Sequence, residues 1–130
     1  MSNAPDIQND FSHEIIGAAV EVQRVLGTGL DEGAYAAALA IELAEREIGF
    51  ARDVALSASY KGRSLGEVYR AGFVIEQSVI VELRAVDVLT DLHRAQVLAA
   101  LRLSGLKLGL LINFNVFPVV KGVHRIVSKP

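Results

Sequence analysis

The chain has 130 residues, 52% of them hydrophobic and 22% charged, with a formal net charge of −2. That is enough for one domain with its own core, and too apolar for a disordered chain. The absence of cysteine removes disulfides, zinc ribbons and thiol enzymes, and the slightly acidic balance is unlike the broad basic surface of a dedicated nucleic-acid binder.

Residues 1–10 are polar and read as a flexible N-terminal tail, followed by a single domain over 11–130. No basic region followed by an apolar run stands near the N-terminus, so no secretory signal is expected. From Phe11 the apolar positions Ile15, Ala18, Val22 and Leu26 recur at helical spacing. This predicts an amphipathic helix over 11–26, capped by Asp10 or Ser12 and ended by Gly27-Thr28-Gly29. A second helix is predicted over 31–48, with Tyr35, Leu39 and Leu43 on its inner face and Gly49 as its C-terminal glycine.

Residues 54–60 and 65–75 read as strands joined by a turn at Lys61-Gly62, and 79–86 as a third. The stretch 69–86, YRAGFVIEQSVIVELRAV, forms a β-hairpin whose polar break is Glu76-Gln77-Ser78. A turn centred on Gln77 pairs Ile75 with Val79, Phe73 with Val81 and Gly72 with Glu82. Glu82 and Arg84 then share one face of an apolar strand, where buried charge needs a partner or a purpose. A third helix is predicted over 90–103, with Leu92, Val97, Ala100 and Leu103 near one face. A strand covered on both faces follows at 107–114, then an edge strand at 119–127. The uncharged stretch 108–120 is interrupted by Asn113, Asn115 and Pro118 and is shorter than the about 20 apolar residues of a membrane span. A soluble, cytoplasmic protein without membrane contact is expected. The order α-α-β-β-β-α-β-β predicts an α/β sandwich, a mixed central sheet flanked by helices.

Gly29-x-x-Glu32-x-x-Tyr35 resembles the signature of the GxxExxY proteins, a bacterial and archaeal family of the PD-(D/E)XK nuclease-like superfamily. Around it, in the family's order, stand Ile15-Ile16-Gly17-Ala18-Ala19, Tyr60-Lys61-Gly62, Val81-Glu82-Leu83, His93-x-x-Gln96 and Gly109-Leu110-Leu111-Ile112-Asn113-Phe114-Asn115. The resemblance covers residues 14–127 and implies the restriction-endonuclease-like fold.

In that superfamily an Asp on one strand faces a Glu-x-Lys on the next, and an earlier helix adds a Glu. The carboxylates hold Mg²⁺ or Mn²⁺, which activates water for phosphodiester cleavage. By position, the resemblance implies that Glu82 is the strand Glu, Glu32 the helix Glu and Gln96 the helix Gln beside the site, with Glu32 and Glu82 the candidate metal ligands. Two positions depart from the pattern. Arg70-Ala71-Gly72 stands where the family has Arg-Ala-Asp, and Glu82-Leu83-Arg84 where it has Glu-Leu-Lys. Glycine removes a ligand, and a guanidinium forks onto carboxylates, so Arg84 is expected to clamp Glu82 or Glu32 in the ion's space.

The expected function is a nuclease-fold protein with a vestigial site, working as a binding or assembly module. The alternatives are an Mg²⁺- or Mn²⁺-dependent nuclease of DNA or RNA in which Glu67 or Asp87 replaces the missing Asp, and a structural protein-interaction domain without nucleic-acid contact. The partners considered are nucleic acid, through a local basic patch of Lys61, Arg63, Arg70, Lys121, His124 and Arg125, and a second copy of the chain as a homodimer. Each residue also has a plainer role. Glu32 suits the first turn of a helix through the helix dipole, Glu82 and Arg84 suit an ion pair within the sheet, Gly72 admits a neighbour such as Arg84, and Tyr35 is a core or rim aromatic. His13, His93 and His124 are too far apart in sequence for a histidine metal site.

Overall fold

The computed structural model describes residues 10–129; the expected tail therefore lies, apart from Asp10, outside the described residues. The elements are α1 (Ser12–Leu26), α2 (Glu32–Glu45), β1 (Phe50–Tyr60), β2 (Arg63–Ile75), β3 (Val79–Arg84), α3 (Asp91–Ser104), β4 (Leu108–Asn113), a 3₁₀ turn (Val119–Gly122) and β5 (Val123–Val127). The five strands form one mixed sheet in the order β1-β2-β3-β4-β5. Only β3 and β4 run parallel, joined by the α3 crossover.

The helical periodicity holds in α1, whose Ile15, Ala18 and Val22 are buried with Ala19 and Gln23. No side chain caps its N-terminal residue Phe11; Asp10 instead accepts hydrogen bonds from the Ser12 amide and hydroxyl. The second helix is shorter than predicted: it stops at Glu45, and Glu47, not Gly49, takes the left-handed conformation beyond it. In α3 the buried residues are Val97, Ala100 and Leu101, while Leu92 is exposed. Thr90 caps that helix reciprocally with His93, which gives His93 a structural role.

Strand boundaries shift by one to four residues, the most at two places. β1 begins at Phe50, four residues earlier than its alternation indicated, and residues 119–122 form a 3₁₀ turn before the shorter β5. The central hairpin keeps the expected register at Phe73–Val81 and Ile75–Val79. Glu76 and Gln77 both take positive φ in its turn, and the Ser78 amide donates to the Ile75 carbonyl.

Two apolar layers cover the sheet. One packs Ile15, Ala18, Tyr35, Leu39 and Leu43 of α1 and α2 against Phe73, Val81 and Leu110. The other packs Val97, Ala100 and Leu101 of α3 against Ala71, Ile80 and Leu111. Gly109 lets α3 approach β4 closely, since a Cβ there would come within 2.5 Å of Val97 Cγ1.

Phe73 and Ala71 lie two residues apart in β2 and would share a face of a regular strand. They belong to opposite layers. The same reversal separates Phe50 from Val54 in β1, across Asp53, whose φ is +52°. Both strands therefore turn over at one level, between the pairs Arg52–Phe73 and Val54–Ala71. That level holds Asp53 and Gly72.

Candidate functional site

Gly72 sits where the sheet opens. The β2–β3 ladder ends at Phe73–Val81, so Gly72 and Glu82 are adjacent without forming the expected pair. The Gly72 amide instead donates to Glu82 Oε2 at 3.2 Å, and the Tyr69 hydroxyl donates to the same oxygen at 2.8 Å. An added Cβ on Gly72 would lie 2.9 Å from Glu82 Oε1. Glycine thus makes room for the Glu82 carboxylate, not for Arg84 as expected from the sequence.

Glu82 is 5% exposed. Burial pushes its carboxyl above the usual glutamate range, against the hydrogen bonds from Tyr69 and Gly72 and the charge of Arg84. Tyr69 responds in kind: burial, then the adjacent carboxylate, raise its phenol well above 10. Arg84 Nη1 stands 3.8 Å from both Glu82 Oε1 and Glu32 Oε1, between the two acids. Its shorter contacts run elsewhere: Nη1 donates to the Leu83 carbonyl at 2.7 Å and Nη2 to Gln96 Oε1 at 3.2 Å. The four expected site residues, Glu32, Glu82, Arg84 and Gln96, therefore converge from α2, β3 and α3.

The motif around Tyr35 shows how Glu32 is delivered. Tyr35 is fully buried and stacks on Phe114, with ring centroids 4.6 Å apart. Its hydroxyl donates to the Gly27 carbonyl at 2.7 Å and accepts from the Leu30 amide at 3.3 Å. Gly29, at φ +96°, makes the turn that a side chain would strain. The clasp fixes the loop before α2 and places the half-exposed Glu32 at the helix start.

A cavity of about 220 Å³ runs along this opening, lined by Glu32, Gly33 and Ala36 of α2, Arg52 and Asp53 of β1, Gly72 and Phe73 of β2, and Glu82 and Leu83 of β3. Asp53 and Tyr69 are the residues that sequence reasoning missed. Neither substitute acid considered from the sequence lines the cavity: Glu67 pairs with Arg70 at 2.6 Å, and Asp87 is an exposed residue beyond β3. Among the described residues, no three acidic or histidine side chains are placed to hold one ion together.

A family model described as the PD-(D/E)XK nuclease superfamily matches residues 9–126, nearly the whole chain. The chain belongs to the PD-(D/E)XK nuclease superfamily. No curated protein and no solved structure matched it. The five-stranded mixed sheet with flanking helices is the α/β architecture expected of this superfamily. Superfamily nucleases usually employ divalent metals on carboxylates. Among the described residues, no helix is long and apolar enough to cross a membrane.

The basic patch drawn from the sequence divides. Lys61, Arg63 and Arg70 belong to the β1–β2 edge, whereas Lys121, His124 and Arg125 belong to the opposite edge at β5. Arg70 is engaged with Glu67 and Arg125 with Asp10. Against the cost of burial, hydrogen bonds from Arg125 and Ser12 hold the Asp10 carboxyl down at about 2.

The elevated Glu82 carboxyl has a measurable consequence. Its folded pKa lies above the ordinary 4.5, so the native state binds more protons than the unfolded chain. Stability then falls as pH rises from the ordinary value through the raised one. Glu82→Gln, which removes that ionisation, is expected to be more stable than the wild type at pH 7. The advantage should close by about pH 3, well below the ordinary glutamate value, where the carboxyl is neutral in both states. Thermal unfolding at the two pH values checks this, and an equal difference at both would contradict the account.

Proposed function

We propose that this PD-(D/E)XK protein has lost metal-dependent cleavage and acts as a nucleic-acid-binding module. One observation carries the reading: the strand Glu is already engaged by its own neighbours. Glu82 leans over Gly72 with one oxygen occupied by Tyr69 and the Gly72 amide, and Arg84 stands between Glu82 and Glu32. Mg²⁺ takes six oxygen ligands, waters included, and is held by one or two carboxylates whose oxygens are free to face it. Here a single buried carboxylate, already hydrogen-bonded and neighboured by a fixed positive charge, is what β2 and β3 offer. The residues do not fit the ion.

A second reading has one observation in its favour. Asp53 lines the same cavity as Glu32 and Glu82, so a rearranged nuclease would recruit Asp53, not Glu67 or Asp87. It would also require Arg84 to leave the two acids. Calorimetric titration with Mg²⁺ and Mn²⁺ separates the readings. The wild type is expected to show no saturable binding. Saturable binding abolished by both Asp53→Asn and Glu82→Ala would overturn the inactive reading in favour of the rearranged site.

A further inference from the structure

The candidate site does not use the most exposed part of the sheet. β2 is 13 residues long, yet it pairs with β3 only at residues 73–75; from Arg63 to Ala71 its partner is β1 alone. Residues 57–68 thus form a two-stranded arm, on which 61–68 are all exposed. Its tip is a tight turn with Lys61 and Gly62 both at positive φ, the geometry that matches strand twist. Tyr60 is 62% exposed with the Lys61 ammonium over its ring at 5.4 Å. Among the described residues, neither Lys61 nor Arg63 lies in a salt bridge.

The direction of the arm follows from topology. β2 runs antiparallel to β3, so its N-terminal half extends past the C-terminal end of β3. Arg84, Glu32 and Gln96 lie at that end. Gly72 lies nine steps along the strand from Arg63, a reach of at most about 30 Å at strand rise. That is nearly one turn of B-form DNA, and a two-stranded ribbon fits the major groove, which is about 12 Å wide.

We propose that the β1–β2 arm is a DNA-binding element that lies in the major groove of a duplex, with Lys61 and Arg63 on phosphates, alongside the cavity bordered by Glu82. This rests on the reading of the protein as a nucleic-acid-binding module. Double-stranded RNA fits less well, because its deep, narrow major groove does not admit a ribbon. A second copy pairing along β1 fits less well too. β1 is interrupted by register shifts after Leu56 and after Ala58 and by the left-handed Asp53, the irregularities that blunt an edge against strand addition.

Fluorescence anisotropy with a labelled 20-base-pair DNA duplex tests this across a salt series. Three proteins are compared: the wild type, K61Q/R63Q, and R102Q/K107Q at the other end of the sheet. The tip variants leave the core untouched, and thermal unfolding verifies their fold. K61Q/R63Q is expected to bind about tenfold more weakly at 0.1 M salt, with a log–log salt slope shallower by about 2, as each phosphate contact contributes about 0.9. R102Q/K107Q should match the wild type.

Equal affinity and slope in K61Q/R63Q and the wild type would overturn the arm while leaving nucleic-acid binding intact. An equal loss in both variants would also overturn it, since the effect would then be general charge. Wild-type protein that binds no duplex would overturn the arm as a DNA-binding element, and binding to neither that duplex nor a single-stranded or RNA probe would overturn the nucleic-acid reading as well. A wild-type dimer that K61Q/R63Q dissociates, with DNA affinity unchanged, would assign the arm to a second copy instead.

Discussion

Gln23→Leu is expected to remove about 3–4 kcal/mol of stability, through the loss of two buried hydrogen bonds and one part-buried one at roughly 1 kcal/mol or more each. Gln23 is 4% exposed on the inner face of α1. Its amide nitrogen donates to the Phe114 carbonyl at 3.0 Å and to the Val116 carbonyl at 2.7 Å, and its oxygen accepts from the Val119 amide at 2.8 Å. One side chain therefore satisfies three backbone groups of the irregular segment after β4. Leucine keeps the volume and abandons all three. Against a total of about 5–15 kcal/mol, such a loss lies at or above the top of the roughly 0.5–3 kcal/mol range usual for one substitution.

Gln23→Glu separates the hydrogen-bond account from a packing account. A carboxylate facing two carbonyls must hold its proton to remain buried, so this variant should regain stability as pH falls, which Gln23→Leu should not. Urea unfolding at pH 5 and pH 8 measures both. A loss under about 1 kcal/mol for Gln23→Leu would show that water replaces the amide. The consequence reaches the site, because Phe114 stacks on Tyr35, and Tyr35 holds the loop that positions Glu32.

The parts of this architecture that are legible in the sequence are those where one period and one buried face coincide. The hairpin register of Phe73 and Ile75 against Val81 and Val79 follows from apolar alternation, because a one-residue slip would turn a buried face to water. Superfamily membership, and with it the convergence of Glu32, Glu82, Arg84 and Gln96, is carried by short motifs on separate elements.

Asp53 was not legible, and the reason is register. Extending the Tyr60–Arg63 pairing without interruption would place Ala51 opposite Gly72. Register shifts between Leu56 and Ser57 and between Ala58 and Ser59 move the strands by two residues and bring Asp53 there instead. Bulges of this kind leave no clear periodic trace in the sequence. The reversal of faces at Gly72 is hidden for the same reason, and so is the contact from Tyr69 to Glu82. The basic patch failed at the level of topology: Lys61 and Arg125 sit on opposite edges of the sheet, and strand order is not written in either segment.

Gly72→Asp combined with Arg84→Lys is expected to turn a protein without saturable Mn²⁺ binding into one that binds Mn²⁺ and is stabilised by it. The introduced aspartate side chain would enter the space that Glu82 Oε1 now fills, 2.9 Å from the new Cβ, so the Glu82 carboxylate must swing away. That movement is feasible because the obstructing atom ends a flexible side chain, but it sets two carboxylates beside each other. Without metal the double variant should therefore be less stable than the wild type, and a cation that both acids can share removes the repulsion. Lysine at this second position withdraws the planar guanidinium from between Glu32 and Glu82 and frees oxygen atoms for the ion. Binding to the native state alone adds about 2.7 kcal/mol at a hundredfold excess over Kd. The readout is thus a metal-dependent rise in melting temperature together with a calorimetric isotherm. Adding Glu82→Ala should abolish both. A folded double variant that neither binds nor is stabilised by Mn²⁺ would mean that positions 72 and 82 do not face one ion, and would remove the geometric basis for reading this site as a disabled metal centre.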